Sequence, residues 1–268
     1  MGKKSILLIV VMACMLAITA CSTVPVTGRS QITLIPQSSM RSMSFQQYDE
    51  FLSSHKVIRN NADARRVKTV GTRIQKAVER YFAQQGMSGQ LDGYQWEFNL
   101  VQDEAVNAWC MPGGKVVVYS GILPMTGNES GLAVVMGHEI AHAVARHGSE
   151  RMSQSLVVQM GGIAFSKALA EQPETTRSLW MAAYGLGAQY GMMLPYSRLH
   201  EKEADHLGLI FMAMAGYDPR TAVDFWKRMA DGSGKGKPPE LLSTHPSDKT
   251  RIREIRKLLP EALRYYEQ

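Results

Sequence analysis

The chain has 268 residues, 45% of them hydrophobic and 20% charged, which excludes a disordered or low-complexity protein and allows a sizeable core. Its formal charge is +6, but the basic residues are scattered and form no run, so no nucleic-acid partner is expected. Three cysteines are too few for a disulfide framework.

In chain order, Lys3 and Lys4 open an apolar run from Ile6 to Ala17, and Ile18-Thr19-Ala20 leads into Cys21. This three-part layout predicts an export signal over residues 1–20. The segment is similar to a bacterial lipobox, in which Cys21 is acylated and becomes the new N-terminus. A signal anchor with a chance cysteine is the other reading, but the run is short of the roughly 20 apolar residues of a spanning helix. Ser22 follows, not Asp. By likeness to Gram-negative lipoproteins this implies the bacterial cell envelope, with an outer-membrane lipoprotein facing the periplasm and held to the membrane by lipid on Cys21. Cys14 would leave with the signal, so Cys110 stands alone. Between Trp109 and Met111 it reads as a small buried apolar residue.

Residues 21–37 carry Pro25, Gly28 and Pro36 among small polar residues and read as a tether. From 38 to 86 the periodicity is helical, as in Val67, Val70, Ile74 and Val78. Residues 94–102 alternate and are aromatic-rich, predicting a strand, and Lys115–Ser120 predicts another after the Pro112-Gly113-Gly114 turn. Glu129 to about Met152 reads as one helix. The apolar stretches 154–170 and 176–194 read as core helices, because glycines and glutamines interrupt both. Further helices are expected over 198–215, 219–231 and 247–267, with 232–239 as a loop. The expected architecture is one domain over 38–268, α+β but mainly α.

The chemistry gathers at His138-Glu139-Ile140-Ala141-His142. Two His four apart on a helix differ by about 400° of turn and leave from one face. Both imidazoles can then meet one zinc ion per chain, and Glu139 can serve as general base. The bland alternative is a hydrogen-bonded pair of core histidines. Against it, the preceding segment Gly131–Gly137 is apolar and small, and burying three polar side chains there is costly without a partner. A third ligand must come from another element. Glu201 fits, and Asp205 one turn later can accept a hydrogen bond from a ligand imidazole. His200 and His206 are rival ligands on other faces of the same helix.

His138-Glu139-x-x-His142 with Ser197-Arg198-x-x-Glu201-x-x-Ala204-Asp205 resembles the gluzincin peptidases of the CAAX prenyl endopeptidase and HtpX type, and most of all the periplasmic lipoprotein-like branch that includes BepA and LoiP. The resemblance implies a zincin-like metallopeptidase domain with a small β-sheet beside the motif helix. It implies an edge strand near Asn107-Ala108-Trp109 to which substrate adds as a further strand. It also implies a place over the metal for Thr244-His245-Pro246, with Arg251 nearby. His245 then either stabilises an oxyanion or belongs to the lead-in of the last helix, with Ser247 or Asp248 as N-cap. The implied activity is zinc-dependent endopeptidase cleavage of misfolded or outer-membrane proteins in envelope quality control. The alternative is a periplasmic chaperone or assembly factor with little cleavage, for which seventeen Met would suit a client surface.

Overall fold

The computed structural model describes residues 21–24, 27–232, 240–245 and 249–267. The expected signal at 1–20, most of the 232–239 loop, and Ser247 and Asp248 lie outside them. The chain clusters into two compact units: residues up to Gln37 with Arg146–Ser197, and Ser38–Ala145 with Arg198–Gln268. The span 38–268 is thus shared between the two.

The larger unit begins with helix α1 (Gln37–Ser54), strand β3 (Val57–Ile58) and helix α2 (Ala62–Gln84). Asn61 caps α2 by accepting from the Ala64 amide at 2.7 Å, and Asp63 complements the exposed amides of the first turn. Strands β4 (Glu97–Val101), β5 (Ala108–Met111) and β6 (Lys115–Tyr119) complete a four-stranded sheet of order β3-β4-β6-β5. β4 and β6 run parallel, while β3 and β5 are antiparallel to their neighbours. Gly113 and Gly114, at φ 93° and 87°, make the turn from β5 to β6 in a conformation other residues avoid. Tyr48, Phe51 and Leu52 of α1 pack with Val101, Trp109, Val117 and Tyr119. Every residue of β6 is buried, so the sheet is covered on both faces. Among the described residues β5 has one sheet neighbour, so it is an edge strand.

The short helix α3 (Leu123–Thr126) leads to α4 (Glu129–Val144), which packs on β5 and α2. Asn128 caps α4 through the Gly131 amide at 2.9 Å. Gly131–Val144 are all buried. α4 stops eight residues before the expected end near Met152. Arg146 takes φ 62°, the one left-handed non-glycine residue described, at a cost of roughly 1–2 kcal/mol. Nothing at 145–147 is Gly or Pro, so the sequence carries no mark of this break. Helices α7 (Leu194–Met214), α8 (Thr221–Gly232), α9 (Glu240–Thr244) and α10 (Lys249–Tyr266) finish the list. The expected mainly helical α+β fold, with a small sheet beside the motif helix, is present.

The smaller unit holds β1 (Cys21–Thr23) paired antiparallel with β2 (Ser30–Ile32), and helices α5 (His147–Ala168) and α6 (Glu174–Ala188), followed by a π-helical turn, Gln189–Met193. The stretch read as a tether is bound here. Arg29 forms two 2.8 Å bonds to the buried Glu150, and the Leu34 amide donates to Ser153 Oγ at 2.9 Å. The expectation of core helices over 154–170 and 176–194 is corrected. α6 buries no residue, and Met160, Ile163 and Leu179 are about 70% exposed at 68%, 70% and 71%. Apolar content signals that a helix wants a cover, but without periodicity it does not say which face or against what. No helix among the described residues is long and apolar enough to cross a membrane.

Candidate metal centre

α4 and α7 cross where two glycines meet. A Cβ on Gly137 would lie 3.0 Å from the Gly208 carbonyl oxygen, and one on Gly208 would lie 3.0 Å from the His138 amide nitrogen. This close approach lets Glu201 and Asp205, at helical spacing on α7, reach the histidines of α4. His138, Glu139 and His142 are buried inside an apolar helix, which demands partners.

Those partners converge. His138 Nε2 and His142 Nε2 are 3.1 Å apart. Glu201 places Oε2 3.3 Å from the first and Oε1 3.3 Å from the second. His245 Nδ1 lies 3.2 Å from His138 Nε2 and 2.8 Å from Glu201 Oε1. All four ligand atoms fall within 4.8 Å of one another. Zinc–nitrogen bonds of about 2.0–2.1 Å set tetrahedral donor–donor edges of roughly 3.3 Å, which the 3.1 and 3.3 Å spacings among His138, His142 and Glu201 match. Glu139 Oε1 is buried without a hydrogen-bond partner, as expected where a reactant completes the site. Three carboxylates (Glu139, Glu201, Asp205) meet one guanidinium, that of Arg251. A divalent cation balances the two remaining charges. The residues therefore fit a zinc ion.

Around the donors, His138 Nδ1 is 3.1 Å from Asp205 Oδ1. Nδ1–H donates to that carboxylate, which leaves the Nε2 lone pair facing the cluster. Burial and the nearby Arg251 both work against a proton on His138, but the bonds to Asp205 and Glu201 outweigh them and lift its pKa to about 9. Burial raises the pKa of Glu201, but hydrogen bonds from three histidines hold it well below the carboxylate range. For Asp205, Arg251 and His138 overcome burial in the same direction.

Glu139 sits beside the donors, with Oε1 3.5 Å from His245 Nε2. The structure thus brings together all six residues singled out from the sequence: His138, Glu139, His142, Glu201, Asp205 and His245. It sets the rivals apart. His206 pairs with Glu261 at 2.8 Å, and His200 is outside the donor cluster. His245 follows α9, which is pinned to the chain leading into β5: the Leu241 amide donates to the Val106 carbonyl at 3.1 Å, and Asn107 Nδ2 donates to Glu240 Oε1 at 3.1 Å. Cys110 on β5 is a free cysteine, half-buried where the sequence suggested full burial, and desolvation of its thiol holds it well above the ordinary range. The sequence reading assigned nothing to Trp226, whose ring packs edge-on to His138 at 5.7 Å. An aromatic among the apolar positions of α8 carries no mark of that contact.

Residues 69–259 match the model of peptidase family M48. The chain belongs to peptidase family M48. It is 40% identical over 190 residues to the mitochondrial metalloendopeptidase OMA1 of Schizosaccharomyces pombe, covering 70% of this chain and 53% of that protein. It is 31% identical over 250 residues to the human mitochondrial metalloendopeptidase OMA1, covering 91% and 47%. With the beta-barrel assembly-enhancing protease of Yersinia pestis it shares 33% over 169 residues, covering 60% and 34%. The chain spans about half the length of the OMA1 relatives. The expected location, a bacterial outer-membrane lipoprotein facing the periplasm, is corrected by these matches: the OMA1 relatives, at 30–40% identity and with the larger shares of this chain covered, are mitochondrial proteases. A basic start and an apolar run report charge and hydropathy, which do not name a compartment.

Proposed function

We propose that this M48 chain is a zinc-dependent endopeptidase acting on extended segments of misfolded or unfolded polypeptides. The observation that carries the reading is the convergence of His138 Nε2, His142 Nε2 and a Glu201 oxygen on one point, with Glu139 beside it. In this reading those three are the ligands and Asp205 fixes the His138 tautomer. Bound zinc would supply Lewis acidity toward water and the scissile carbonyl. Substrate lies along β5, adding a strand to its open edge. Glu139, through the unpartnered Oε1, takes the proton of the attacking water and delivers it to the leaving amine. His245 holds Nδ1 at the fourth donor position. Zinc held by His138, His142 and Glu201 would need that position for reactants, so the His245 ring would have to turn aside during turnover. The finer placement with the CAAX prenyl endopeptidase and HtpX type rests on Glu201 and Asp205 together. A lipid on Cys21 rests on the Ile18–Cys21 segment alone, and intact mass of the full-length chain tests it.

The test is zinc content and cleavage of an unfolded polypeptide by the wild type, Glu139→Gln and His142→Ala. The expected result is one zinc per chain in the first two and cleavage in the wild type alone. Wild-type protein that holds zinc and leaves every unfolded substrate intact would contradict the peptidase reading. A client-binding role with little cleavage is favoured by one observation, the exposed apolar side chains of α5 and α6. Cellular rescue by Glu139→Gln would decide for it.

A further inference from the structure

Arg251 on α10 is 7% exposed, and its donors are spent on three elements of the larger unit. Nε and Nη2 grip Asp205 of α7 at 2.9 and 2.6 Å. Nη1 donates to the His245 carbonyl at 3.3 Å and lies 3.3 Å from Glu201 Oε2. The guanidinium carbon sits 3.5 Å from the ring centroid of Trp226 on α8, which is itself 1% exposed.

Stability does not call for this arrangement. A buried ion pair is often replaced by packed apolar side chains without loss. Charge alone does not explain it either: the guanidinium offsets Asp205 and Glu201 but, 3.2 Å from the His138 ring, works against a cation there. What the fork supplies is direction. Two parallel bonds fix the plane of a carboxylate, and the Trp226 face fixes the plane of the fork.

We propose that Arg251 is a positioning residue for the reaction. Through Asp205 it sets the tautomer and ring angle of His138, and through the His245 carbonyl it sets where that histidine enters the site. The proposal rests on the peptidase reading above and goes beyond it by assigning a role to a side chain that is neither ligand nor base. Lysine cannot substitute, because a point charge has no fork.

The experiment uses the zinc-loaded full chain and follows zinc release to a chelating indicator, with kcat and KM on an unfolded polypeptide. Arg251→Met is expected to speed release by about 10–100-fold and to lower kcat by a similar factor, with KM within about twofold. Arg251→Lys restores the charge and the thermal midpoint but not the slow release. In the double variant with Asp205→Asn the losses do not multiply, because both act through one carboxylate. Wild-type release and kcat in Arg251→Met, full rescue by Arg251→Lys, or multiplying losses would each overturn the proposal. If Arg251→Met does not fold, Arg251→Gln and Arg251→Lys carry the same comparison. Should the wild type bind zinc and cleave nothing, the peptidase reading falls while the release rates still decide the role of Arg251.

Discussion

His245 is the residue whose two sequence-level readings separate most sharply by experiment. Its Nδ1 stands in the donor cluster, so His245→Ala should free the fourth position: zinc release quickens and cleavage is kept or raised. A fall of tenfold or more in kcat with zinc retained would instead support the oxyanion role. The pH response of the metal-free chain follows from His138. Its pKa is raised to about 9 from an ordinary 6.5, so its contribution to stability is complete below about 6.5 and lost as pH rises through 9. Thermal midpoints of chelated protein should therefore fall between pH 7 and 10. Zinc-loaded protein should not follow this trend, because the metal needs the neutral ring. A midpoint flat with pH after chelation would contradict the Asp205–His138–Glu201 arrangement. His138, His142, Glu201 and Asp205 were legible because one turn of helix brings four-apart positions to one face. Arg251 and Trp226 were not assigned, since their contacts join α7, α8 and α10 across long sequence separations.

At the scale of elements, the crossing of α4 and α7 at Gly137 and Gly208 determines whether the ligands meet at all. Gly208→Ala places a methyl 3.0 Å from the His138 backbone, and the helices must separate. We expect a loss of about 1–3 kcal/mol and weaker zinc binding, measured by denaturant midpoint and metal content. Unchanged zinc affinity would show that the crossing is slack. The exposed helices make the opposite prediction. Ile163→Ser and Leu179→Ser, at positions 70% and 71% exposed, should shift stability by no more than about 0.5 kcal/mol. The long helices and β4 and β6 were visible in the periodicity. The end of α4 was not, because a left-handed Arg146 breaks a helix with no Gly or Pro to announce it. Core burial of α5 and α6 was misread, because hydropathy counts apolar atoms and not the neighbours that would cover them.

For the whole molecule, membership of family M48 rests on a match over residues 69–259, whereas location was misjudged from the first twenty-one. The difference is physical. The metal centre is written as spacing between ligating side chains, which geometry constrains tightly, while a basic start and an apolar run record only charge and hydropathy. The central claim is that Glu139 is the general base of a zinc peptidase, and the most direct test is the cleavage rate of Glu139→Gln at full zinc occupancy. The account predicts one zinc per chain and a rate on an unfolded polypeptide reduced by about 10²–10⁴-fold. Zinc-loaded Glu139→Gln cutting at the wild-type rate would contradict it.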